Sequence, residues 1–95
     1  MNTTRAAAPK VTFGKFSHAL RVSELYNGEK RVYLDGEQVG TIERLASVVR
    51  GGNASTDTIQ VDGYSVDLWS EDSEPTFPTL AEAAAYCRAT LTRKA

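Results

Sequence analysis

Few side chains in this 95-residue sequence have the chemistry of a catalytic or metal site. An activated nucleophile needs a base within hydrogen-bond reach, and His18 is the only histidine in the chain. Cys87, the only cysteine, falls on the apolar face of a predicted helix, where a free cysteine usually serves as a small hydrophobic residue. One histidine and one cysteine are too few for a zinc site. The sequence therefore predicts a protein that is not an enzyme and that uses no metal or other cofactor.

The charged residues offer a different kind of chemistry, because they are divided along the chain. Residues 1–50 hold eight Lys and Arg against five acids, whereas residues 51–87 hold seven acids and no basic residue. Four residues bring acids and the single tryptophan together: Asp67, Trp69, Glu71 and Asp72. Aromatic anchors ringed by charge are common at protein interfaces. We therefore predict that these four residues bind a protein partner, with an ordinary solvated surface as the alternative.

The basic residues support a second hypothesis, a nucleic-acid-binding module. Lys and Arg contact phosphates, and exposed aromatic residues such as Tyr26 and Tyr33 can stack on bases. The alternative role for these aromatics is to complete a small core. The candidate nucleic-acid-binding residues are Lys15, Arg21, Lys30, Arg31, Arg44 and Arg50.

The elements that must position these residues begin with one helix near the carboxyl end. Thr79 and Glu82 have the spacing of a capping box, in which the hydroxyl and the carboxylate each accept an unpaired amide. Positive charge at the carboxyl end suits the helix dipole. The apolar face has the 3.6-residue repeat of a helix that packs on a sheet: Leu80, Ala83, Ala84, Cys87 and Leu91.

The preceding residues predict an antiparallel sheet. Val11 to Tyr26 alternates as strand, with a short helix from Ser17 as the alternative. Asn27-Gly28, Asp35-Gly36 and Asp62-Gly63 each predict a two-residue hairpin turn. Their strands include Arg31–Leu34, Val39–Leu45, Ile59–Val61 and Tyr64–Trp69, with Tyr26 opposite Glu29 and Glu24 opposite Arg31.

Alternation across the third turn predicts that one face meets the helix and carries Ile59, Val61, Tyr64, Val66 and Leu68. Trp69 then lies at the edge of the core or is exposed. Ala46 to Thr56 is predicted to be a loop of roughly ten residues, with an extension of the third strand through Val48 and Val49 as the alternative, and Gly40 predicts a bulge or a close approach. Ser70 to Phe77 is predicted to be an acidic connection.

Together these patterns predict an α+β fold, an antiparallel meander of about five strands packed against one C-terminal helix. We expect residues 1–10 to be a mobile arm and residues 11–95 to form a single domain. An exposed edge of such a sheet can pair two copies into a homodimer. No apolar run approaches 18 residues and the N-terminus has no signal-peptide core, so we expect a cytoplasmic protein with no membrane contact.

Two segments carry a resemblance to known proteins: Arg31 to Ile42, and Phe77 to Ala83 with its Phe-Pro-Thr-Leu-Ala-Glu-Ala sequence. They resemble small accessory proteins of actinobacteria and their phages. The order of strands and helix is also similar to the arm-type DNA-binding domain of phage integrases and to the HicB-type antitoxin fold. The integrase likeness implies a sheet that binds DNA, yet residues 59–69 carry Asp62 and Asp67 rather than basic residues. The HicB likeness implies a sheet that holds a protein partner, which an acidic surface suits.

Overall fold

The computed structural model describes residues 9–21, 27–53 and 55–93. One antiparallel sheet runs in the order β1-β2-β3-β4-β5, so each strand pairs with its neighbour in sequence. The predicted α+β meander with one C-terminal helix is therefore confirmed. The elements are β1 (Val11–Phe16), β2 (Glu29–Leu34), β3 (Glu37–Val49), β4 (Thr58–Leu68), β5 (Thr76–Phe77) and α1 (Leu80–Arg93).

Helix α1 begins and packs much as the sequence predicts. The Glu82 amide donates to the Thr79 hydroxyl at 3.2 Å, and that hydroxyl lies 3.0 Å from the Glu82 carboxylate. The carboxylate thus accepts from the hydroxyl rather than from the Thr79 amide. The buried core joins one face of the helix to one face of the sheet and comprises Val32, Ile42, Val66, Leu68, Ala83, Cys87 and Leu91. Burial of a side chain such as Ile42 stabilises the fold by about 1.5–3 kcal/mol.

The turn at Asp35-Gly36 joins β2 to β3 as predicted. Asp35 has φ 50° and Gly36 has φ 87°, the left-handed backbone that a two-residue turn of this type requires. Leu34 pairs with Glu37 across it. Lys10 and Asp35 are joined by two hydrogen bonds, of 2.8 and 3.0 Å, which tie the start of β1 to this turn.

The prediction of a turn at Asp62-Gly63 is wrong, because β4 runs through these residues as one continuous strand. Leu45 pairs with Gly63 and Ala46 pairs with Val61, so Asp62 is the extra residue of a β-bulge. Gly63 is buried, and a side chain here would meet the Phe77 carbonyl oxygen at 2.9 Å. The absence of a side chain at Gly63 therefore lets β5 lie close to β4, and the chain does not reverse here.

Two further predictions about the strands need correction. The strand before β2 ends at Phe16, which pairs with Lys30, and the Ser17 amide donates to the Glu29 carbonyl at 2.9 Å. The two neighbours of β2 are β1 and β3, so the hairpin predicted at Asn27-Gly28 is not among its pairings. Residues 17–21 form neither the predicted strand nor the alternative helix, and Glu24 and Tyr26 lie outside the described residues. Thr76-Phe77, predicted as part of a connection, forms the edge strand β5 and pairs with Ser65 and Tyr64.

Other predictions are confirmed, are wrong in part or lie outside the described part of the chain. Strand β3 extends through Val49, so the loop predicted from Ala46 is wrong over residues 46–49, where pairing with β4 continues the strand, and the alternative extension through Val48 and Val49 is confirmed. A side chain at Gly40 would overlap the Asp67 carbonyl oxygen, which is the predicted close approach, and the β2–β3 register shifts beside it. Most of the N-terminal arm, residues 1–8, is not described. Within the described residues, no helix is long and apolar enough to cross a membrane.

Candidate protein-binding surface

The face of the sheet opposite the helix carries a row of acidic and polar side chains. Ile42 and Val66 face the core, so their neighbours Thr41, Glu43 and Asp67 point to the other side. Side chains from β2, β3, β4 and the β4–β5 connection line a shallow hollow of about 350 Å³, which we call the open-face hollow. Its lining residues are Glu29, Gln38, Thr41, Glu43, Ser65, Asp67, Trp69 and Glu74.

The charge of the open-face hollow has one sign. Four of its eight lining residues are Asp or Glu, and none of these eight described residues is basic. Glu29 and Glu43 stand directly opposite each other on β2 and β3. Like charges in such a pair repel and lower the stability of a sheet by a few tenths of a kcal/mol. A cationic group bound between them would remove that repulsion.

Trp69 links the open-face hollow to a second, more apolar groove. The side chain is 60% exposed, which agrees with the prediction that it lies at the core edge or on the surface. Its backbone amide donates to the Val39 carbonyl at 2.9 Å, which fixes the indole where β4 ends. The groove on its other side has a volume of about 510 Å³ and includes Leu34, Val39 and Leu91. Trp69 therefore stands between an acidic surface and an apolar one.

The structure brings together only part of the acidic surface predicted from sequence. Asp67 and Trp69 both line the open-face hollow, whereas Glu71 and Asp72 follow in the next turn and do not line it. The Glu71 amide donates to the Leu68 carbonyl at 2.9 Å, and its carboxylate lies 3.3 Å from the Ser70 hydroxyl. Sequence reasoning missed Glu29, Glu43 and Glu74. Strand alternation places Glu29 and Glu43 on one face, but only the register brings them beside Asp67.

The basic candidates do not form one surface. Lys30 and Arg44 both lie over the Phe16 ring, with Lys30 Nζ 5.1 Å and Arg44 Cζ 4.3 Å from its centroid. Arg44 also donates to the carbonyls of Asn27 at 3.1 Å and His18 at 2.6 Å, so it anchors the chain before β2. Arg44 therefore has a structural role.

The remaining basic candidates are dispersed. Arg50 pairs with Asp57 at 3.0 Å near the far end of the β3–β4 ribbon. The Gly51 amide, helped by Arg50, lowers the pKa of Asp57 below its ordinary value of 3.8. Arg31 is exposed beside Thr41, on the same face as the acidic hollow, and Lys15 and Arg21 are exposed elsewhere. A phosphate that reached Arg31 would also meet the carboxylates of Glu29 and Glu43.

Ser17 and Cys87 carry side chains that could act as nucleophiles, but both have structural roles. The Ser17 hydroxyl lies 2.9 Å from His18 Nδ1, and it also accepts the Glu29 amide at 3.0 Å, a contact that holds the start of β2. Cys87 is fully buried, and loss of solvent raises the pKa of its thiol to about 11. Among the described residues, no three His, Cys, Asp or Glu side chains are placed to hold a metal ion.

Comparison with known proteins gives no relative from which a function can be transferred. No protein-family model matches the chain, and no curated protein sequence or solved structure is significantly similar to it. The functional argument therefore rests on the open-face hollow itself.

Proposed function

We propose that this protein is a small, non-catalytic binding protein of the accessory or phage type that contacts a protein partner through the open-face hollow. The observation that carries the proposal is that four carboxylates and the exposed indole of Trp69 line the same hollow. Buried or rim carboxylates favour cationic groups, and an exposed tryptophan supplies a large apolar contact area. The partner segment would carry Lys or Arg for the hollow and an apolar residue for the groove beyond Trp69.

The charge arrangement favours a protein over a nucleic acid. Nucleic-acid interfaces need clustered Lys and Arg, because phosphate contacts supply most of their affinity. Here Arg44 is engaged by backbone carbonyls and Arg50 by Asp57. The alternative, a nucleic-acid-binding module, retains Lys15, Arg21 and Arg31 as exposed basic residues.

Affinity capture from host lysate tests the proposal, with each sample divided into nuclease-treated and untreated halves. We expect a protein that survives nuclease, binds the wild type and is lost with Asp67→Lys or Trp69→Ala. Asp72→Lys is the matched control, because it makes the same charge change on an exposed residue outside the hollow. Capture of nucleic acid alone, unchanged by Asp67→Lys and lost with Lys15→Glu/Arg31→Glu, would contradict the proposal and support the alternative.

Once a partner is found, the fluorescence of Trp69 reports the contact directly, because it is the only tryptophan in the chain. A partner that covers the open-face hollow is expected to shift the emission maximum to shorter wavelength as the indole loses water. An unchanged emission spectrum at saturating partner would place the interface elsewhere.

A further inference from the structure

The outer edge of β4 is only partly used by the sheet. Strand β5 pairs with Tyr64 and Ser65, and the Val66 amide donates to the Pro75 carbonyl at 2.9 Å. Within the described part of the chain, no strand pairs with β4 on that side before Tyr64. The segment Thr58–Asp62 therefore forms an open edge of the sheet, which we call the β4 edge.

The register shows which backbone groups of the β4 edge point outward. Val66 directs its amide outward, and alternate residues of a strand repeat that orientation. Counted against β3, with the bulge at Asp62, the outward residues that precede Tyr64 are Val61 and Ile59. Their amides and carbonyls face away from β3, and no hydrogen bond within the described residues uses them.

The side chains of the same two residues are incompletely covered. Val61 stands opposite Ala46 and Ile59 opposite Val48, on the side of the ribbon that carries the helix farther along. Val61 is 37% exposed. Edge strands of monomeric proteins are protected by charged side chains, proline or β-bulges. The β4 edge contains no lysine or proline, and its one charge and its bulge both lie at its last residue, Asp62.

The single charge on the β4 edge is already engaged. The Asp62 carboxylate accepts hydrogen bonds from the Ser47 hydroxyl at 3.0 Å and from the Gln60 amide at 2.7 Å. These bonds hold the carboxylate among side chains of its own molecule, on the two strands of the ribbon. An approaching strand therefore meets two apolar residues and a set of unpaired backbone groups.

We propose that the β4 edge pairs with the β4 edge of a second copy of this chain, antiparallel and centred on Gln60. The segment is self-complementary about that residue, because Ile59 then opposes Val61 of the second copy and Val61 opposes its Ile59. Each of these pairs exchanges two backbone hydrogen bonds, since all four residues direct amide and carbonyl outward.

The same arrangement places compatible side chains opposite each other, and the fold limits how many residues can pair. Thr58 opposes Asp62 of the second copy, so no like charges face each other. The apolar stripes of the two ribbons become continuous on one face of the combined sheet. Pairing ends beyond Asp62, because β5 occupies the edge from Tyr64 and its Phe77 carbonyl lies against Gly63. A foreign strand can use the same backbone groups, but the symmetry about Gln60 favours a second copy.

Cysteine cross-linking tests the register. Gln60 would face Gln60 of the second copy in a pair without direct backbone hydrogen bonds, with Cα atoms about 4.5 Å apart. That distance lies within the range of about 4.4–6.8 Å that disulfides span. We expect Gln60→Cys to give a covalent dimer with oxidised glutathione as the oxidant, which is reduced to two molecules of glutathione as the disulfide forms. Thr58→Cys is the matched control and should stay monomeric, because its partner in this register is Asp62. The buried native Cys87 should not react.

Sedimentation velocity tests the association without a covalent bond. The wild-type mass is expected to rise from 10.3 kDa toward twice that value as concentration increases. Small interfaces are usually weak, so the rise should extend to high concentration. Val61→Lys is expected to weaken self-association at least tenfold. Val49→Lys is the control and should not, because this 43% exposed valine of β3 lies opposite Thr58, on the side of β4 that faces away from the second copy.

Three results would overturn the proposal. The first is a wild-type mass that stays at 10.3 kDa up to millimolar concentration. The second is equal cross-linking of Gln60→Cys and Thr58→Cys. The third is an equal change of self-association in Val61→Lys and Val49→Lys. If Val61→Lys does not fold, the cross-linking pair still decides the proposal. Circular dichroism of each variant establishes whether it folds. The result is independent of the open-face hollow, since none of these substitutions lines it.

Discussion

Replacement of Gly40 by alanine would perturb the closest approach of β3 and β4 beside the open-face hollow. A Cβ atom at Gly40 would overlap the Asp67 carbonyl oxygen and lie 3.0 Å from both Cα and Cδ2 of Leu68. Leu68 is only 1% exposed, so its side chain has little space into which to move. Added core atoms cost about 1–3 kcal/mol when neighbouring side chains adjust. Because two of the three obstacles are backbone atoms, we expect about 3 kcal/mol or more from Gly40→Ala.

Thermal unfolding followed by far-ultraviolet circular dichroism measures this effect. In a domain of this size about 1 kcal/mol corresponds to about 4–8 °C in Tm, so Gly40→Ala should lower Tm by about 12 °C or more. Gly14→Ala is the matched control in β1, since its nearest neighbours would lie at ordinary contact distances of 3.7 and 3.8 Å. We expect Gly14→Ala to change stability by less than about 0.5 kcal/mol. A Gly40→Ala protein within 1 °C of wild type, or an equal loss in Gly14→Ala, would refute the packing argument.

Three further predictions concern the core, a basic residue and the hollow. Desolvation raises the pKa of the Cys87 thiol from 9.0 to about 11. The folded chain therefore holds the thiol proton more tightly than the unfolded chain does. As a result, the free energy of unfolding should fall as pH rises from 9 to 11. Urea titrations across that range should show a smaller fall in Cys87→Ala, and an equal fall would contradict this. Arg44→Met should lower stability by about 1–3 kcal/mol through its lost contacts with Asn27 and His18, while Arg31→Met should leave the melting temperature unchanged. Glu43→Gln should raise stability by a few tenths of a kcal/mol in urea titrations by removing the repulsion with Glu29, yet weaken partner capture.

The three turn dipeptides show how far sequence specifies this sheet. Asp35-Gly36 adopts the two-residue turn that its residues permit, with both φ angles positive. Asp62-Gly63 has the same composition but lies within a strand, where the missing side chain makes room for β5. A permissive dipeptide allows a turn without requiring one. The choice depends on whether a distant segment, here Thr76-Phe77, pairs beside it.

Other features were predictable because one local pattern determines them. The helix from Leu80 follows from the Thr79 cap and the 3.6-residue repeat, and Cys87 lies in the core on the predicted face. The alternation of β4 correctly places Ile59, Val61, Tyr64, Val66 and Leu68 on one face, because the bulge at Asp62 preserves the face across the dipeptide just as a two-residue turn would.

The sequence predicts only some of the residues that line the open-face hollow. Asp67 and Trp69 are near each other in the chain and were predicted together. Glu29 and Glu43 belong to the half of the chain with net positive charge, and strand register alone carries them to the acidic side. Charge counted along a sequence therefore does not reveal charge on a sheet face, where adjacent strands bring together residues far apart in the chain.

Site-specific photo-crosslinking would test the proposed protein partner most directly. A benzophenone amino acid replaces Gln38, which lines both the hollow and the groove beside Trp69, in one protein and the exposed Lys15 of β1 in another, and both are irradiated in nuclease-treated and untreated host lysate. A protein adduct at position 38 that persists after nuclease treatment, with none at position 15, is the predicted result. Nucleic-acid adducts at position 15, with no protein adduct at position 38, would contradict the account and move the binding surface to the basic residues.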